Sequence, residues 1–234
     1  MEDERLIYLG RWSRGYIFND TFIKELNHYE PNSVEREMKA SNAAFNAGIL
    51  TPKCYNYSND NNILRLYFQY IDMAPYKIID PKQDISIIFD IIKKLRNIQW
   101  ENNDVYWYTN LIPDFSDALS YIGSEKDQIM TLITQLKPEI FIHGDMSCQN
   151  IGQTENGIYL YDFQHGCYGP YKWDLCYLAG TLSPYFCDSF NLSKYEQRIA
   201  FGVAAIRYGR SIRKSASNID SRKKIFEEWR KMIE

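Results

Sequence analysis

The sequence lacks several features that would each mark a particular class of protein. Its five cysteines are an odd number and form no C-x-x-C pair, and a chain of 234 residues can fold without disulfides. No apolar stretch approaches the roughly 20 residues that cross a bilayer, and no run of five or more like charges occurs. The opening segment, "MEDERLIYLG", is acidic where a secretory signal is basic. These absences predict a soluble cytoplasmic protein with reduced thiols and no membrane partner.

The overall charge also argues against a nucleic-acid ligand. A formal net charge of −3 gives no bulk attraction for nucleic acid or anionic lipid, so any polyanion must be held by local contacts. The composition, 45% hydrophobic and 24% charged, is that of an ordinary globular protein with one sizeable core or two small lobes. The sequence shows no internal repeat and leaves the oligomeric state open.

The first part of the chain has the pattern of short strands joined by tight turns. Residues 6–26 contain the apolar stretches "LIYLG", "GYIF" and "TFIKEL". Gly10, Gly15 and the pair Asn19 and Asp20 separate these stretches, and such residues are typical of hairpin turns. We therefore predict a small antiparallel sheet at this end.

A helix and a further strand follow. The segment "PNSVEREMKASNAAFNAGILTP" offers Asn32 or Ser33 as a cap, helix formers after it, and Gly48 and Pro52 as stop signals. Residues 62–71, "NILRLYFQYI", are rich in branched and aromatic side chains, which favour a strand. The first third is therefore predicted as a strand-rich part with one helix.

The remainder is predicted to be mainly helical. Residues 84–100 carry an apolar stripe at helical spacing, and a second helix is predicted at about 117–136. The short extended pieces "EIFIHGD", "QNIG" and "GIYLYDFQ" come next, with "ENG" at 155–157 as a hairpin turn. After Trp173 the pattern is mostly helical. This order predicts an α+β fold.

Three side chains suited to phosphoryl transfer follow the strand-like pieces. Asp145 and Asn150 lie in "FIHGDMSCQN", and Asp162 follows "IYLY" twelve residues after Asn150. A lone Asp after a strand often only caps a turn, but a hairpin here would return Asp162 to Asn150. Mg²⁺ favours such oxygen ligands, with water and substrate phosphates as the others. We predict that Asn150 and Asp162 hold the metal, while Asp145 accepts a proton from an attacking hydroxyl.

Lys24 is the candidate for the positive charge that nucleotide phosphates require. It lies inside the apolar strand "TFIKEL", where an unpaired ammonium is costly, and the next helix offers Glu35 and Glu37 as partners. A surface-pointing lysine is the alternative. Gly10 and Gly15 flank "RWSR" and would let backbone N–H groups approach phosphate, although structural turns explain them equally well.

These motifs resemble those of the aminoglycoside phosphotransferase and choline kinase families, which share the protein-kinase-like fold. "HGDMSCQN" matches their H-G-D-x-x-x-x-N catalytic loop at every fixed position. "YLYDFQHGCYGPYKWDLCYLAG" is similar to their metal-binding aspartate segment followed by G-P-x-x-x-D-L. "EREMKASNAAFNAGILTP" is similar to their A-x-G-[IV]-x-x-P helix, with Glu37 eleven residues before Gly48. The resemblance covers about residues 5–210; where protein kinases have D-F-G, this chain has "DFQ".

The resemblance implies a fold, a reaction and two cofactors. The fold is a bilobal α+β arrangement with a small β-rich N-lobe at 1–70, containing one helix, and a larger, mainly helical C-lobe at 71–234. The reaction is transfer of the γ-phosphate of ATP to a hydroxyl group. Asp145 is then the catalytic base, and Asn150 and Asp162 bind Mg²⁺.

The same resemblance assigns the residues that bind the nucleotide. Lys24 contacts the ATP phosphates, and Glu37 orients Lys24. Gln69 and Tyr70, at the end of "LRLYFQY", match the hinge whose backbone binds adenine. Two further residues, His143 and Asp174, match positions that hold the catalytic loop. The preference for ATP over GTP stays open.

The acceptor is expected to be a small hydroxylated molecule such as an amino alcohol, an aminoglycoside or a sugar. Only eleven residues separate Asp162 from Asp174, which leaves no long segment on which to lay a peptide. Aminoglycosides require carboxylates and choline requires an aromatic cage. The carboxylate candidates are Asp188, Glu196, Glu227 and Glu228, and the aromatic candidates are Tyr168, Tyr171, Trp173, Tyr177, Tyr185, Phe186 and Trp229. A silent nucleotide-binding protein and a protein-directed kinase are the alternatives.

Overall fold

The computed structural model describes residues 5–9, 13–26, 31–60, 63–77, 81–100, 105–123 and 125–234. Within these ranges it leaves out the side chains of residues 5, 7–9, 31, 81–83 and 186–188. The chain divides into two compact units, residues 1–76 with 149–166 and residues 77–148 with 167–234. The lobes at 1–70 and 71–234 stay a prediction.

Five antiparallel strands form the main sheet of the first unit. They are β1 (Arg5–Leu9), β2 (Ser13–Phe18), β3 (Thr21–Leu26), β4 (Cys54–Asp60) and β5 (Ile63–Gln69), in the order β1-β2-β3-β5-β4. β2 and β3 meet at a two-residue turn in which Asn19 and Asp20 have φ of 44° and 52°. Positive φ at both central residues is the geometry of a tight hairpin, so the predicted turn is confirmed.

Among the described residues of the first unit, one α-helix, α1 (Pro31–Asn46), packs against this sheet, as predicted. Gly48 ends it, because its φ of 75° is left-handed and its N–H donates to the carbonyl of Phe45 at 3.0 Å. The core beneath the helix is formed by Leu26, Val34, Cys54, Leu64, Leu66 and Phe68. Strand β5 supplies three of these residues at alternating positions, since every second side chain of a strand faces the same side.

A smaller sheet completes the first unit. It consists of β6 (Ala74–Pro75), β8 (Ile151–Thr154) and β9 (Gly157–Leu160), in the order β6-β8-β9. Thr154 pairs with Gly157 across the hairpin, and Gly157 has a φ of 130° that disfavours other residues. The hairpin predicted between Asn150 and Asp162 is therefore confirmed.

The second unit is mainly helical. Its α-helices are α2 (Pro81–Arg96), α3 (Ile112–Leu119), α4 (Lys126–Thr134), α5 (Trp173–Thr181), α6 (Cys187–Phe190), α7 (Lys194–Arg213) and α8 (Ile219–Ile233). A π-helical turn, Trp107–Leu111, precedes α3, and β7 (Pro138–Ile142) pairs antiparallel with β10 (Cys167–Pro170). The single helix predicted at 117–136 is wrong: the chain leaves the helix after Leu119, and Gly123 adopts a φ of 94° before α4 begins.

Two glycines allow α7 to pack closely against its neighbours. A Cβ at Gly180 of α5 would overlap the backbone oxygen of Ala200, and a Cβ at Gly209 would overlap the backbone oxygen of Ala118. The start of α7 is fixed by a capping box, in which the side chains of Ser193 and Glu196 each accept from the other residue's backbone N–H. These contacts set which face of α7 meets α3 and α5.

Across the residues that the structure describes, we find no helix with the length and apolar character required to span a bilayer.

Candidate active site

The main feature of the first unit's site is a partly buried group of three charged side chains, those of Lys24, Glu37 and Asp162. Lys24, in the middle of β3, donates to Glu37 Oε1 of α1 at 2.7 Å and to Asp162 Oδ1 at 2.7 Å. The Lys24 and Glu37 side chains are only 14% and 3% exposed. The other predicted partner, Glu35, instead forms an exposed pair with Lys39 on the same helix. The structure thus brings together three of the predicted site residues.

The electrostatics of this ion pair leave an excess of negative charge. Burial lowers the pKa of Lys24, but Asp162 and Glu37 outweigh it and hold that pKa well above its usual value. Burial raises the pKa of Glu37, Lys24 opposes the rise, and Asp162 adds to it. Two carboxylates therefore share one ammonium, and a cation bound at Asp162 would relieve the imbalance.

Asp162 has an unusual backbone conformation. Its φ of 65° and ψ of 60° are left-handed, and it leads directly into a short 3₁₀ turn, Phe163–His165, whose Phe163 side chain is fully buried. A left-handed conformation costs a non-glycine residue energy, and such residues gather at functional sites. Asp tolerates it better than most residues.

Asn150 lies at the open end of the β8–β9 hairpin, where Asp162 also lies. Its carbonyl accepts the N–H of Tyr161 at 3.0 Å, and the Tyr161 hydroxyl donates to the carbonyl of Gln149 at 2.7 Å. These bonds hold Asn150 beside the residue that precedes Asp162. The described residues contain no cluster of three or more His, Cys, Asp or Glu side chains arranged to hold a metal. A carboxylate and an amide nevertheless fit Mg²⁺, which takes its other ligands from water and phosphate.

The predicted adenine-binding residues lie at the end of β5. Gln69 N–H donates to the carbonyl of Lys53 at 2.9 Å, and Tyr70 N–H donates to the carbonyl of Asp20 at 3.0 Å. Because both donors are engaged inside the unit, the carbonyl oxygens are the backbone groups that these residues could offer a purine. Of the predicted phosphate-contacting glycines, Gly15 pairs with Lys24 across the sheet, whereas Gly10 lies outside the described residues.

Residues 143–148 of the predicted catalytic loop belong to the second unit, and a buried carboxylate holds the start of this loop. Asp174, at the start of α5, accepts the N–H groups of His143 at 2.8 Å and Gly144 at 2.9 Å. Burial raises the pKa of Asp174, and His143 and the two N–H donors oppose that rise. The indole N–H of Trp173 donates to the Gly144 carbonyl at 3.2 Å. Gly144 has a φ of 82°, which suits glycine at this bend.

These contacts fix the residue predicted to be the base. Asp145 N–H donates to Nδ1 of His143 at 3.2 Å, so the buried imidazole positions the backbone of Asp145. The Asp145 side chain is 21% exposed and therefore accessible to a small molecule. Asp145 lies in a different unit from Asn150 and Asp162, and the convergence of these three on one cation stays a prediction.

The sequence interpretation missed two arginines beside this loop. Arg207 Nη1 lies 3.4 Å from Asp145 Oδ1 and 3.3 Å from the Tyr177 hydroxyl, and Arg210 Nη1 donates to that hydroxyl at 3.2 Å. Burial raises the pKa of Tyr177, the charge of Asp145 adds to the rise, and the arginines oppose it. The signal for both arginines was their spacing of three with Arg213, because such spacing places side chains on one helix face.

Most of the predicted acceptor carboxylates have structural roles. Glu196 closes the capping box of α7 and pairs with Lys172. Glu228 accepts the hydroxyl of Ser183 at 2.7 Å, and Glu227 pairs with Arg230 at 3.7 Å. The side chain of Asp188 lies outside the described residues.

The predicted aromatic candidates whose side chains the structure describes do not gather into one cage. Trp173 is buried among Trp107, Phe115 and Tyr177. Other members occupy separate places: Trp229 is buried with its indole N–H on the Leu182 carbonyl, Tyr171 stacks under Arg96, Tyr168 lies in β10, and Tyr185 is 86% exposed. The side chain of Phe186 lies outside the described residues.

The structure is similar to solved small-molecule kinases along nearly its whole length. An amicoumacin kinase in complex with AMP-PNP, Ca²⁺ and Ami has a TM-score of 0.72 at 13% identity, covering 98% of this chain and 87% of that one. A choline/ethanolamine kinase family protein from Mesorhizobium loti has a TM-score of 0.64 at 14% identity, covering 98% and 88%. A spectinomycin phosphotransferase in complex with ADP has a TM-score of 0.60 at 15% identity, covering 99% and 89%.

No protein-family model matches the chain, and a search of curated proteins finds no match either. At identities this low, the similarity establishes the fold, and the activity must be argued from the site. The chain therefore has the predicted α+β, protein-kinase-like fold, which it shares with these small-molecule kinases.

Proposed function

We propose that the protein is an ATP-dependent O-phosphotransferase that moves the γ-phosphate to a hydroxyl of a small molecule. The observation that carries the proposal is the buried pairing of Lys24 with both Glu37 and Asp162. Burying a lysine with its carboxylate partners costs desolvation energy and adds little stability, so a functional role is the better reason for this arrangement. The similarity in fold to three small-molecule kinases supports this choice of reaction.

The proposed roles of the residues follow from their chemistry. Lys24 contacts the ATP phosphates, Glu37 keeps Lys24 oriented, and Asp145 accepts the proton of the attacking hydroxyl. Asn150 and Asp162 would hold Mg²⁺, which neutralises phosphate charge when it is bound. Gln69 and Tyr70 would contact adenine through their carbonyls. Positioning and charge stabilisation then supply most of the rate enhancement.

The segment between Asp162 and Asp174 supports a small acceptor over a protein. It is occupied by the 3₁₀ turn Phe163–His165 and by β10, which pairs with β7 and leads into α5. No stretch of it is left as a long platform for an extended peptide. A protein-directed kinase is therefore the weaker alternative.

A cytoplasmic location also belongs to the proposal. The four cysteines whose side chains the structure describes are thiols and not disulfides. This state is expected for a protein that stays in a reducing compartment.

The test is to incubate the purified protein with Mg²⁺ and either ATP or GTP and a panel of hydroxylated metabolites, and to follow ADP or GDP release and phosphorylated products. Phosphate on a metabolite supports the proposal. Nucleotide binding with no product would instead indicate a silent protein, and phosphate on polypeptide would indicate a protein kinase.

A separate variant tests whether Asp145 is the base. Asp145→Asn keeps the shape of the side chain but cannot accept the proton, so we expect turnover to fall by about 10² to 10⁴ while ATP affinity stays unchanged. The control is Asp90→Asn, an exposed α2 carboxylate paired with Lys93. Unchanged turnover in Asp145→Asn would refute its role as the base.

A further inference from the structure

A group of arginines lies beside the proposed catalytic base. The arginine cluster consists of Arg207, Arg210 and Arg213 on one face of α7 and Arg222 on α8. Arg207 and Arg210 have side chains only 12% and 13% exposed. Guanidinium groups so far from water are held only where partners or ligands compensate for the lost hydration.

Two carboxylates of α3 form ion pairs with arginines of the cluster. Asp114 accepts from Arg210 Nε at 2.8 Å and from Arg213 Nη2 at 2.9 Å. Asp117 pairs with Arg213. These contacts explain how α7 is anchored to α3, and they occupy Arg213 and one side of Arg210.

Arg222, on α8, donates to uncharged oxygens. Arg222 Nη1 donates to two neutral oxygens, the Arg207 carbonyl at 3.1 Å and the Ser211 hydroxyl at 2.8 Å. Burial, and then the charge of Arg207, lower the pKa of Arg222 to about 10. Burial and the charges of Arg210 and Arg213 likewise lower the pKa of Lys214. The surroundings of the cluster are therefore electropositive.

This positive region adjoins the Asp145 carboxylate. Arg207 Nη1 stands 3.4 Å from Asp145 Oδ1, which is longer than the roughly 2.7–2.9 Å of a strong charge-assisted hydrogen bond. A hydroxyl that donates to Asp145 must therefore sit next to the Arg207 guanidinium. With hydrogen bonds of about 2.8 Å on each side of that pair, a group bound by Arg207 Nη1 lies at most about 9 Å from a hydroxyl oxygen that donates to Asp145 Oδ1.

We propose that the acceptor is a small hydroxy compound that carries an anionic group, a carboxylate or a phosphate, and that Arg207 binds this group beside Asp145. The inference rests on the proposed phosphotransferase function. In the reaction, the acceptor oxygen forms a bond to the γ-phosphorus, and the bond from that phosphorus to the β–γ bridging oxygen breaks. ADP leaves with the electron pair, and the hydroxyl proton passes to Asp145.

The same geometry disfavours a cationic acceptor. An ammonium group near Asp145 would meet the like charge of Arg207, with Arg210 and Arg222 behind it. The described carboxylates predicted to receive such a group serve a helix cap or local pairs, as Glu196 and Glu228 show. Choline and aminoglycosides are therefore expected to be poor acceptors.

The first experiment compares acceptors in matched sets with ATP and Mg²⁺. Glycerate is compared with glycerol. Gluconate and glucose 6-phosphate are each compared with glucose, and choline and kanamycin serve as cationic acceptors. We expect kcat/KM for at least one anion to exceed that of its neutral counterpart by about tenfold or more. A higher kcat/KM for choline or kanamycin than for every anion would overturn the inference and leave the proposed function intact. The two kinds of anion distinguish a carboxylate from a phosphate as the bound group.

The second experiment uses Arg207→Met, with Arg207→Lys as the conservative variant. We expect Arg207→Met to raise KM for the anionic acceptor by about tenfold or more with a smaller change in kcat, and to raise KM for the neutral counterpart far less. Arg207→Lys should recover part of the loss. The control is Arg198→Met, an exposed arginine on the same helix. A purely structural role would raise KM for all acceptors alike, and that result would refute the assignment.

Direct binding separates this inference from the proposed function. Glycerate and inorganic phosphate are titrated calorimetrically into the wild type, Arg207→Met and Arg198→Met proteins. Binding that disappears only in Arg207→Met supports the anion site even where no acceptor is phosphorylated, in which case the proposed function alone fails. Equal binding, or equal absence of binding, in all three proteins overturns the anion site.

Discussion

Replacing Lys24 by Met tests the buried ion pair most directly. At 2.7 Å and an effective dielectric constant of about 20, attraction to each carboxylate is worth about 6 kcal/mol before the cost of burial. The variant does not lose that sum, because Glu37 can take up a proton once the ammonium is gone. From an ordinary Glu pKa of 4.5, protonation at pH 7 costs about 3.4 kcal/mol. We therefore expect Lys24→Met to lower the free energy of unfolding by about 3 kcal/mol.

The stability loss of Lys24→Met should depend on pH through the pKa of Glu37. Burial already raises the pKa of Glu37, and removal of Lys24 removes the main group that opposes the rise. A carboxyl whose folded pKa is raised stabilises the fold below its unfolded pKa and loses that contribution as pH rises. The Lys24→Met variant should therefore lose up to about 1.4 kcal/mol per pH unit between about pH 5 and pH 7, relative to the wild type.

The assay is urea unfolding at several pH values, with Lys24→Met and Glu37→Gln combined as the matched control. Because the double variant holds no unpaired buried glutamate, it should recover most of the lost stability and show the pH dependence of the wild type. Neither the single nor the double variant should turn over ATP, since both lack the lysine that we propose to contact the ATP phosphates. A Lys24→Met protein as stable as the wild type, with the same pH profile, would contradict the buried charge arrangement.

Two further predictions concern the second unit. Asp174→Asn can satisfy only one of the N–H groups of His143 and Gly144, so we expect a loss of about 1–3 kcal/mol in urea unfolding and a lower kcat, with the ATP Kd unchanged. An unchanged kcat would show that the loop does not depend on this carboxylate. Although burial opposes it, Arg210 and Arg213 lower the pKa of Asp114, so its contribution to stability is present above pH 3.8 and lost as pH falls through the lowered value. The stability gap between wild type and Asp114→Asn, measured by acid titration with urea, should therefore shrink below about pH 3.8; a constant gap would refute the ion pair.

The elements that depend on short stretches of sequence were predictable. The Asn19–Asp20 turn, the end of α1 at Gly48 and the hairpin that returns Asp162 to Asn150 each follow from turn chemistry within a few residues. The residues alone leave Glu35 and Glu37 as partners for Lys24, since the sequence shows that a helix follows but not which face it turns to the sheet. Only the family resemblance singles out Glu37. The break between α3 and α4 was missed because Gly123 is a single residue inside an otherwise helical pattern.

The surroundings of Asp145 were not predictable in the same way. Tyr177 was considered as a member of an aromatic cage, but its hydroxyl is where Arg207 and Arg210 meet. That meeting depends on the crossing of α5 and α7, which is set by the packing of Gly180 against Ala200, twenty residues later in the chain. Residue type shows that an arginine is cationic, but only tertiary packing decides whether it lies in water or beside the proposed catalytic carboxylate.

This difference between local and long-range determinants predicts that the reaction and the acceptor are specified by different parts of the chain. The proposed base, Asp145, is held by His143, which Asp174 holds in turn, and both contacts are hydrogen bonds from backbone N–H groups. These bonds do not depend on which acceptor is bound. Arg207 contributes nothing to those bonds and reaches Asp145 only through its side chain. Substitution of α7 side chains could therefore change the charge of the preferred acceptor while the loop keeps its geometry. Substitutions at 207 should for this reason change which acceptors are used before they change whether phosphate is transferred.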